Sequence, residues 1–354
     1  MRFLAHRRFF SYIPGMHEPR RQRHDRTGLY RSVTLAGLVA LTLLFAGSLF
    51  LVFLNNRFTP SRAASRAARL TDAPGSTAVV KGFSLWFRES GTDRGATPVV
   101  VILGEAGQSG STFAERFRFL EHDRRVILYD PRGCGNSQSK PELSSYTVAN
   151  LVTELEAVRT QIVRADSIIL IGHAFGGTLA LHYALTHPGE VERLVLISPL
   201  PGDGVRYESI GDLLLDYGDA LAKAGLPPRN EDEANLWHER YGYLCAAEGL
   251  VNPRHAVQLT GLGGSFGPAR ALLLSLASGQ RPVLAGLRTL ATPTLILYGE
   301  AEGRWTRESY QLELQHLLPR ARAVRFEKSG HWLFLEEHGR FADEVLAFLN
   351  NHTG

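Results

Sequence analysis

Ile168-Ile169-Leu170-Ile171 runs into Gly172-His173-Ala174-Phe175-Gly176-Gly177, and an apolar helical pattern follows. A β-branched strand that turns sharply into a helix is where a nucleophile is exposed on a strained corner, usually as G-x-S-x-G. Gly172 and Gly176 hold the flanking places, where a side chain would crowd the turn. The centre is Ala174. A methyl group cannot attack a carbonyl, so the acyl-transfer pattern is present without its attacking oxygen. The same string also fits an ordinary tight turn between a buried strand and a packed helix.

Two further segments bear on that choice. Arg125 to Asp130 reads as a buried strand leading into Pro131-Arg132-Gly133-Cys134-Gly135-Asn136-Ser137. Near the C-terminus, Ser329-Gly330-His331-Trp332 precedes a helical pattern. With these three motifs in this order, the chain resembles the α/β-hydrolase superfamily over roughly residues 77–350. Within it, the chain looks most like the prolyl aminopeptidase branch, with its D-x-R-G-C-G-x-S loop, G-x-S-x-G-G elbow and late G-H loop. The resemblance implies a mostly parallel sheet with helices on both faces and a helical cap. It also implies a Ser-His-acid triad that hydrolyses a small amide or ester.

Carried over residue by residue, the resemblance puts the nucleophile position at Ala174 and the histidine at His331. The acid falls at Glu302 of Gly299-Glu300-Ala301-Glu302, where the family usually has G-x-x-D. The oxyanion hole would use the backbone N–H of Phe175 and one from the loop after strand 98–103, at Glu105 or Ala106. That loop reads Gly104-Glu105-Ala106-Gly107-Gln108-Ser109-Gly110 where the branch carries H-G-x-P-G. A carboxylate at 105 is unhelpful beside a developing oxyanion unless it points elsewhere. Taken alone, Glu302 reads as a solvated loop carboxylate and His331 as a structural or exposed side chain.

The remaining candidates have simpler readings. Asp130 and Arg132 brace their loop, as in the family, and Cys134 reads as a packed, inert thiol. Ser109, Ser111 and Ser137 are the alternative places for a relocated nucleophile. The branch uses cap carboxylates to hold a substrate amine, which makes Glu231, Asp232, Glu233 and Glu239 candidates; an acidic solvated helix face fits them better. Two cysteines, Cys134 and Cys245, exclude a disulfide framework, and no ligand spacing suggests a metal or cofactor. Two function classes remain open. One is a serine-hydrolase-type enzyme whose serine is absent. The other is a pseudoenzyme that binds a ligand or partner without turnover.

The elements that must position these residues alternate along the chain. Strands are expected at 78–89 (one or two), 98–103, 125–130, 168–172, 193–198, 293–298 and 322–327. Helices are expected at 112–120, 148–163, 175–187, 307–318 and 334–349. Apolar strands separated by helices imply a parallel sheet covered on both faces. The stretch 203–280 is the expected cap. Ahead of the domain, residues 1–70 carry twelve arginines against two acidic residues, so the rest of the chain is net acidic. Residues 33–54 are uncharged and apolar, long enough at about 33 Å to cross a bilayer. The expected order is a basic cytoplasmic arm (1–32), a transmembrane helix (33–54), a tether (55–76) and an extracytoplasmic domain (77–354). The expected partners are a small-molecule or peptide ligand and the membrane, with no nucleic acid.

Overall fold

The computed structural model describes residues 75–200, 250–252, 255, 259, 265–277, 286–302 and 306–351. The arm, the expected transmembrane helix, the tether and most of the cap lie outside these residues. So do Glu231, Asp232, Glu233, Glu239 and Cys245. Among the described residues, no helix is long and apolar enough to cross a membrane.

Among the described residues, eight strands form one sheet: β1 (Ser76–Val80), β2 (Phe83–Gly91), β3 (Val99–Ile102), β4 (Arg125–Tyr129), β5 (Ile168–His173), β6 (Val191–Ile197), β7 (Thr294–Gly299) and β8 (Ala321–Phe326). Their order is β1-β2-β4-β3-β5-β6-β7-β8. The β1–β2 and β2–β4 pairings are antiparallel, and every later pairing is parallel. The central strands carry continuous apolar runs, Val99–Ile102 in β3 and Ile168–Ile171 in β5 among them, because both faces are covered, and alternate side chains serve different cores. Val100, Ile102, Leu170, Leu194 and Ile296 join one core. Val99, Val101, Ile171, Val195 and Leu297 join the other.

The described helices are α1 (Val148–Ala157), α2 (Phe175–Thr186), α3 (Phe266–Ala277), α4 (Glu308–Leu317), α5 (Leu333–Glu336) and α6 (His338–Asn350). Thr147 caps α1, its side chain accepting from the Asn150 N–H. Three expected helices differ in detail. Ser111–Leu120 is a 3₁₀ helix rather than an α-helix. Its buried Phe113, Phe117 and Leu120 are spaced i, i+4 and i+7, the repeat of an α-helix, so spacing pointed to the longer period. The 148–163 helix changes at Val158 into a π-helical stretch and stops at Arg164, whose φ is 56°. The 334–349 helix is two helices that break at Glu337, where φ is −121°.

Candidate active site

In a parallel sheet, the loops that leave the carboxyl ends of the strands converge on one edge. Here that edge gathers the 104–110 loop after β3, Asp130 after β4 and Ala174 after β5. Ser198 follows β6, Glu302 follows β7 and His331 lies beyond β8. Residues distant in the chain are therefore neighbours by topology.

The elbow is fully formed. Ala174 sits at φ 52°, ψ −120° and is completely buried. A non-glycine residue in such a conformation costs on the order of 1–3 kcal/mol and persists only where its surroundings enforce it. Here the enforcement is backbone contact. The Ala174 N–H donates to Ile197 O at 2.9 Å, and the Ala174 carbonyl accepts from Gly177 and Thr178 N–H at 3.1 and 3.2 Å. A Cβ on Gly172 would lie 2.4 Å from the Gly176 carbonyl oxygen, and one on Gly176 would lie 2.3 Å from that of Ile102. Both positions therefore need glycine. The plain-turn reading of this string does not account for the strained residue at its centre.

His331 lies between two carboxylates. Its Nδ1 is 3.1 Å from Glu302 Oε2, and its Nε2 is 3.0 Å from Glu105 Oε1. The Glu302 side chain is only 1% exposed, whereas that of Glu105 is 33% exposed. Glu302 is thus no solvated loop carboxylate. It also accepts hydrogen bonds from the Ser198 and Thr306 hydroxyls and from the Gly299 N–H. Burial works against a charge on His331, but the Glu302 charge and the hydrogen bonds to Glu105 and Glu302 outweigh it, raising its pKa to about 10. Burial likewise disfavours ionised Glu302, yet His331 prevails and holds it below the usual carboxylate range. His173 packs its ring 4.6 Å from that of His331 and lies 3.1 Å from the His331 carbonyl through Nε2. Burial, and then the His331 charge, keep His173 neutral, with a pKa well below the ordinary value.

The 104–110 loop is held by Asp130, which is fully buried. Asp130 accepts from Ser109 Oγ at 2.8 Å, from the N–H groups of Gly110 and Asn136, both at 2.9 Å, and from Asn136 Nδ2 at 3.1 Å. Within the loop, the Gln108 N–H bonds Glu105 O, and the Gly107 N–H bonds Cys134 Sγ. Those two donors are occupied, and the N–H groups of Glu105, Ala106 and Phe175 remain the candidates of the sequence reading. Arg132 braces the next loop through a buried pair with Glu154, its Nε donating to Oε2 at 2.6 Å.

The three serines are tied into this scaffold. Ser109 bonds Asp130 and Ser111, and Ser137 donates to the Asp130 carbonyl while accepting from the Trp86 N–H. The Cys134 thiol is buried, and that burial pushes its pKa far up, which keeps it unreactive. Sequence reasoning missed Ser198, Thr306 and the packing of His173 on His331. Ser198 had one usable signal, its place at the end of a predicted strand on the edge that carries the acid.

Known proteins resemble this chain in sequence and in fold. The sequence profile of the α/β hydrolase fold family matches residues 97–338. A proline iminopeptidase of Heyndrickxia coagulans is 35% identical over 295 residues, covering 77% of this chain and 97% of that protein. A proline iminopeptidase of Saccharolobus solfataricus is 25% identical over 290 residues, covering 75% of this chain and 87% of its own length. In structure, the chain is similar to an esterase of Exiguobacterium antarcticum, with a TM-score of 0.61 and 19% identity. That match covers 78% of this chain and 100% of the esterase.

Proposed function

The chain belongs to the α/β-hydrolase fold family, in its proline iminopeptidase-like branch, and on that premise we propose that it keeps the hydrolase frame but forms no acyl-enzyme. The observation that carries this reading is Ala174, buried at the centre of a strained elbow. Removal of the triad serine takes away nearly all of the chemical rate, leaving only what binding and oxyanion stabilisation supply. Glu302 and His331 hold the acid and histidine positions, and the N–H of Phe175 with that of Glu105 or Ala106 forms the oxyanion hole. The ligand class follows the branch: a small amide, ester or peptide, such as one with an N-terminal proline. The protein binds this ligand at the strand-end site without turning it over, which is the pseudoenzyme reading.

The test is direct. The purified protein should not label with a fluorophosphonate, and should not hydrolyse p-nitrophenyl acetate or a prolyl arylamide above background. Turnover that disappears in His331→Ala would defeat the proposal and point to a nucleophile elsewhere.

The uncharged run 33–54, with eight arginines ahead of it, supports the second half of the reading, a single-pass anchor with the hydrolase domain outside the cytoplasm. Protease added to intact cells or spheroplasts should remove the domain, and deletion of residues 1–60 should release it in soluble form. Cleavage only after lysis would reverse the orientation.

A further inference from the structure

Acyl transfer needs a neutral imidazole whose Nε2 lone pair faces the attacking oxygen. In this chain Nε2 already has a partner, Glu105 Oε1 at 3.0 Å, while Nδ1 faces Glu302 Oε2 at 3.1 Å. An ionised carboxylate only accepts hydrogen bonds, so a ring held between two of them donates from both nitrogens and is an imidazolium. We propose that Glu105 is a positioning residue that occupies the base: its carboxylate takes the place at His331 Nε2 that a nucleophile's hydroxyl requires, so that an oxygen restored at position 174 is not enough to make a hydrolase. This rests on the reading above that the frame is otherwise that of a serine hydrolase, and it adds a second coupled departure to Ala174.

Every described group around the ring favours the charged form or is neutral. Glu302 and Glu105 are the two anions in contact with it. His173 is neutral, and Thr306 Oγ1 lies 3.4 Å from Nδ1. The Trp332 ring meets the imidazole edge-on at 5.4 Å. On the same loop, Glu336 and Glu337 accept from the backbone N–H groups of Gly330 and Lys328, and Glu337 also from the Ser329 hydroxyl. With its pKa raised by Glu302 and Glu105, the ring is charged at neutral pH.

Nor is the aim of Glu105 incidental. Its carbonyl accepts from Gln108 N–H at 3.0 Å, Gly107 N–H bonds Cys134 Sγ, and Gly110 N–H bonds Asp130. The loop is therefore anchored at Glu105 itself and again just beyond it, at Gly107 and Gly110. Glu105 is also the more exposed of the two anions, so a substitution there disturbs the site without opening the core.

The test uses the full-length protein in detergent, with fluorophosphonate labelling measured across pH and the His331 ring followed by NMR. Ala174→Ser alone should label slowly at pH 7. Adding Glu105→Gln should raise that rate by about tenfold or more and move the labelling profile to lower pH, since each unit of pKa is a factor of ten in neutral base. Adding His331→Ala should abolish the gain. Glu105→Gln in the otherwise unaltered chain should lower the His331 midpoint by about one unit or more, a shift that a merely structural role would not produce. Glu105→Ala serves if Glu105→Gln does not fold. Equal labelling with and without Glu105 overturns the inference, as does an unmoved His331 midpoint. Failure of both serine variants to label while the midpoint falls also counts against it, because freeing the base would then not supply what is missing. Labelling of the unaltered protein would strike instead at the reading that it forms no acyl-enzyme.

Discussion

Asp130 and Glu302 are both buried carboxylates at the same edge of the sheet, one after β4 and one after β7. Their surroundings make them opposites. Asp130 is surrounded by neutral donors, namely the Ser109 hydroxyl, the Gly110 and Asn136 N–H groups and the Asn136 amide. Burial prevails there, and its pKa lies above the ordinary value despite those bonds. Glu302 faces an imidazole, and its pKa lies below the ordinary value although it too is buried. A carboxylate among dipoles fixes backbone. A carboxylate against an ionisable ring sets the charge of that ring. Residue type and burial do not separate the two cases; the partner does.

Four experiments would break or sharpen this contrast. The largest effect is expected beside Asp130, in the buried Arg132–Glu154 pair. Arg132→Ala leaves Glu154 buried without its cation and should cost about 3–5 kcal/mol in urea unfolding. A loss under about 1 kcal/mol would mean that this side of the site is not a brace.

Asp130→Ala should follow, at about 3 kcal/mol, because several buried donors lose their acceptor together. It should also loosen the 104–110 loop, which amide hydrogen exchange at Gly110 and Ser111 would report. Unchanged exchange there would separate Asp130 from the aim of Glu105.

Glu302→Gln should cost less at neutral pH, about 1–2 kcal/mol, because Glu105 remains on the ring. Its signature is in the pH dependence. The pKa of His331 is raised by folding, so its contribution to stability is complete below about pH 6.5 and is lost as pH climbs through about 10. The pKa of Glu302 is lowered by folding, so its contribution is present above its ordinary value of 4.5 and fades as pH falls through its lowered folded value. In the variant, the alkaline loss should be smaller and complete at lower pH, and the acid loss should shrink. Urea midpoints at pH 4, 7 and 10 would check both limbs, and parallel profiles for the two proteins would refute the coupling.

The smallest stability change is expected for Glu105→Gln, whose side chain is one-third exposed: about 1.4 kcal/mol at neutral pH, the linkage cost of a one-unit fall in the His331 midpoint. A large loss there would make Glu105 another brace like Asp130 and erase the distinction between the two regions.

Much of the frame was legible in the residue pattern. The apolar runs at 98–103, 168–172 and 293–298 marked strands buried on both faces, and β3, β5 and β7 lie there. Gly172 and Gly176 announced a corner too close for side chains, and the approaches of 2.4 and 2.3 Å give the reason. Cys134 was readable as an inert thiol. The 3₁₀ form of Ser111–Leu120 and the break at Glu337 were not legible, because both depend on packing that spacing does not encode. For the same reason Glu302, an acceptable solvated carboxylate in sequence, proved to be 1% exposed.

The order of strands and helices, the apolar core and the absence of a nucleophilic oxygen at position 174 follow from the chain alone, because they depend on residue type and short-range period. Which way Glu105 points does not. The sequence placed it on an oxyanion-type loop and stopped there. Its bond to His331 spans 226 residues and exists because parallel strands deliver their loops to a common edge. The charge of the histidine is settled by that meeting of distant groups, since a pKa answers to burial and to neighbours in space, whatever their separation along the chain.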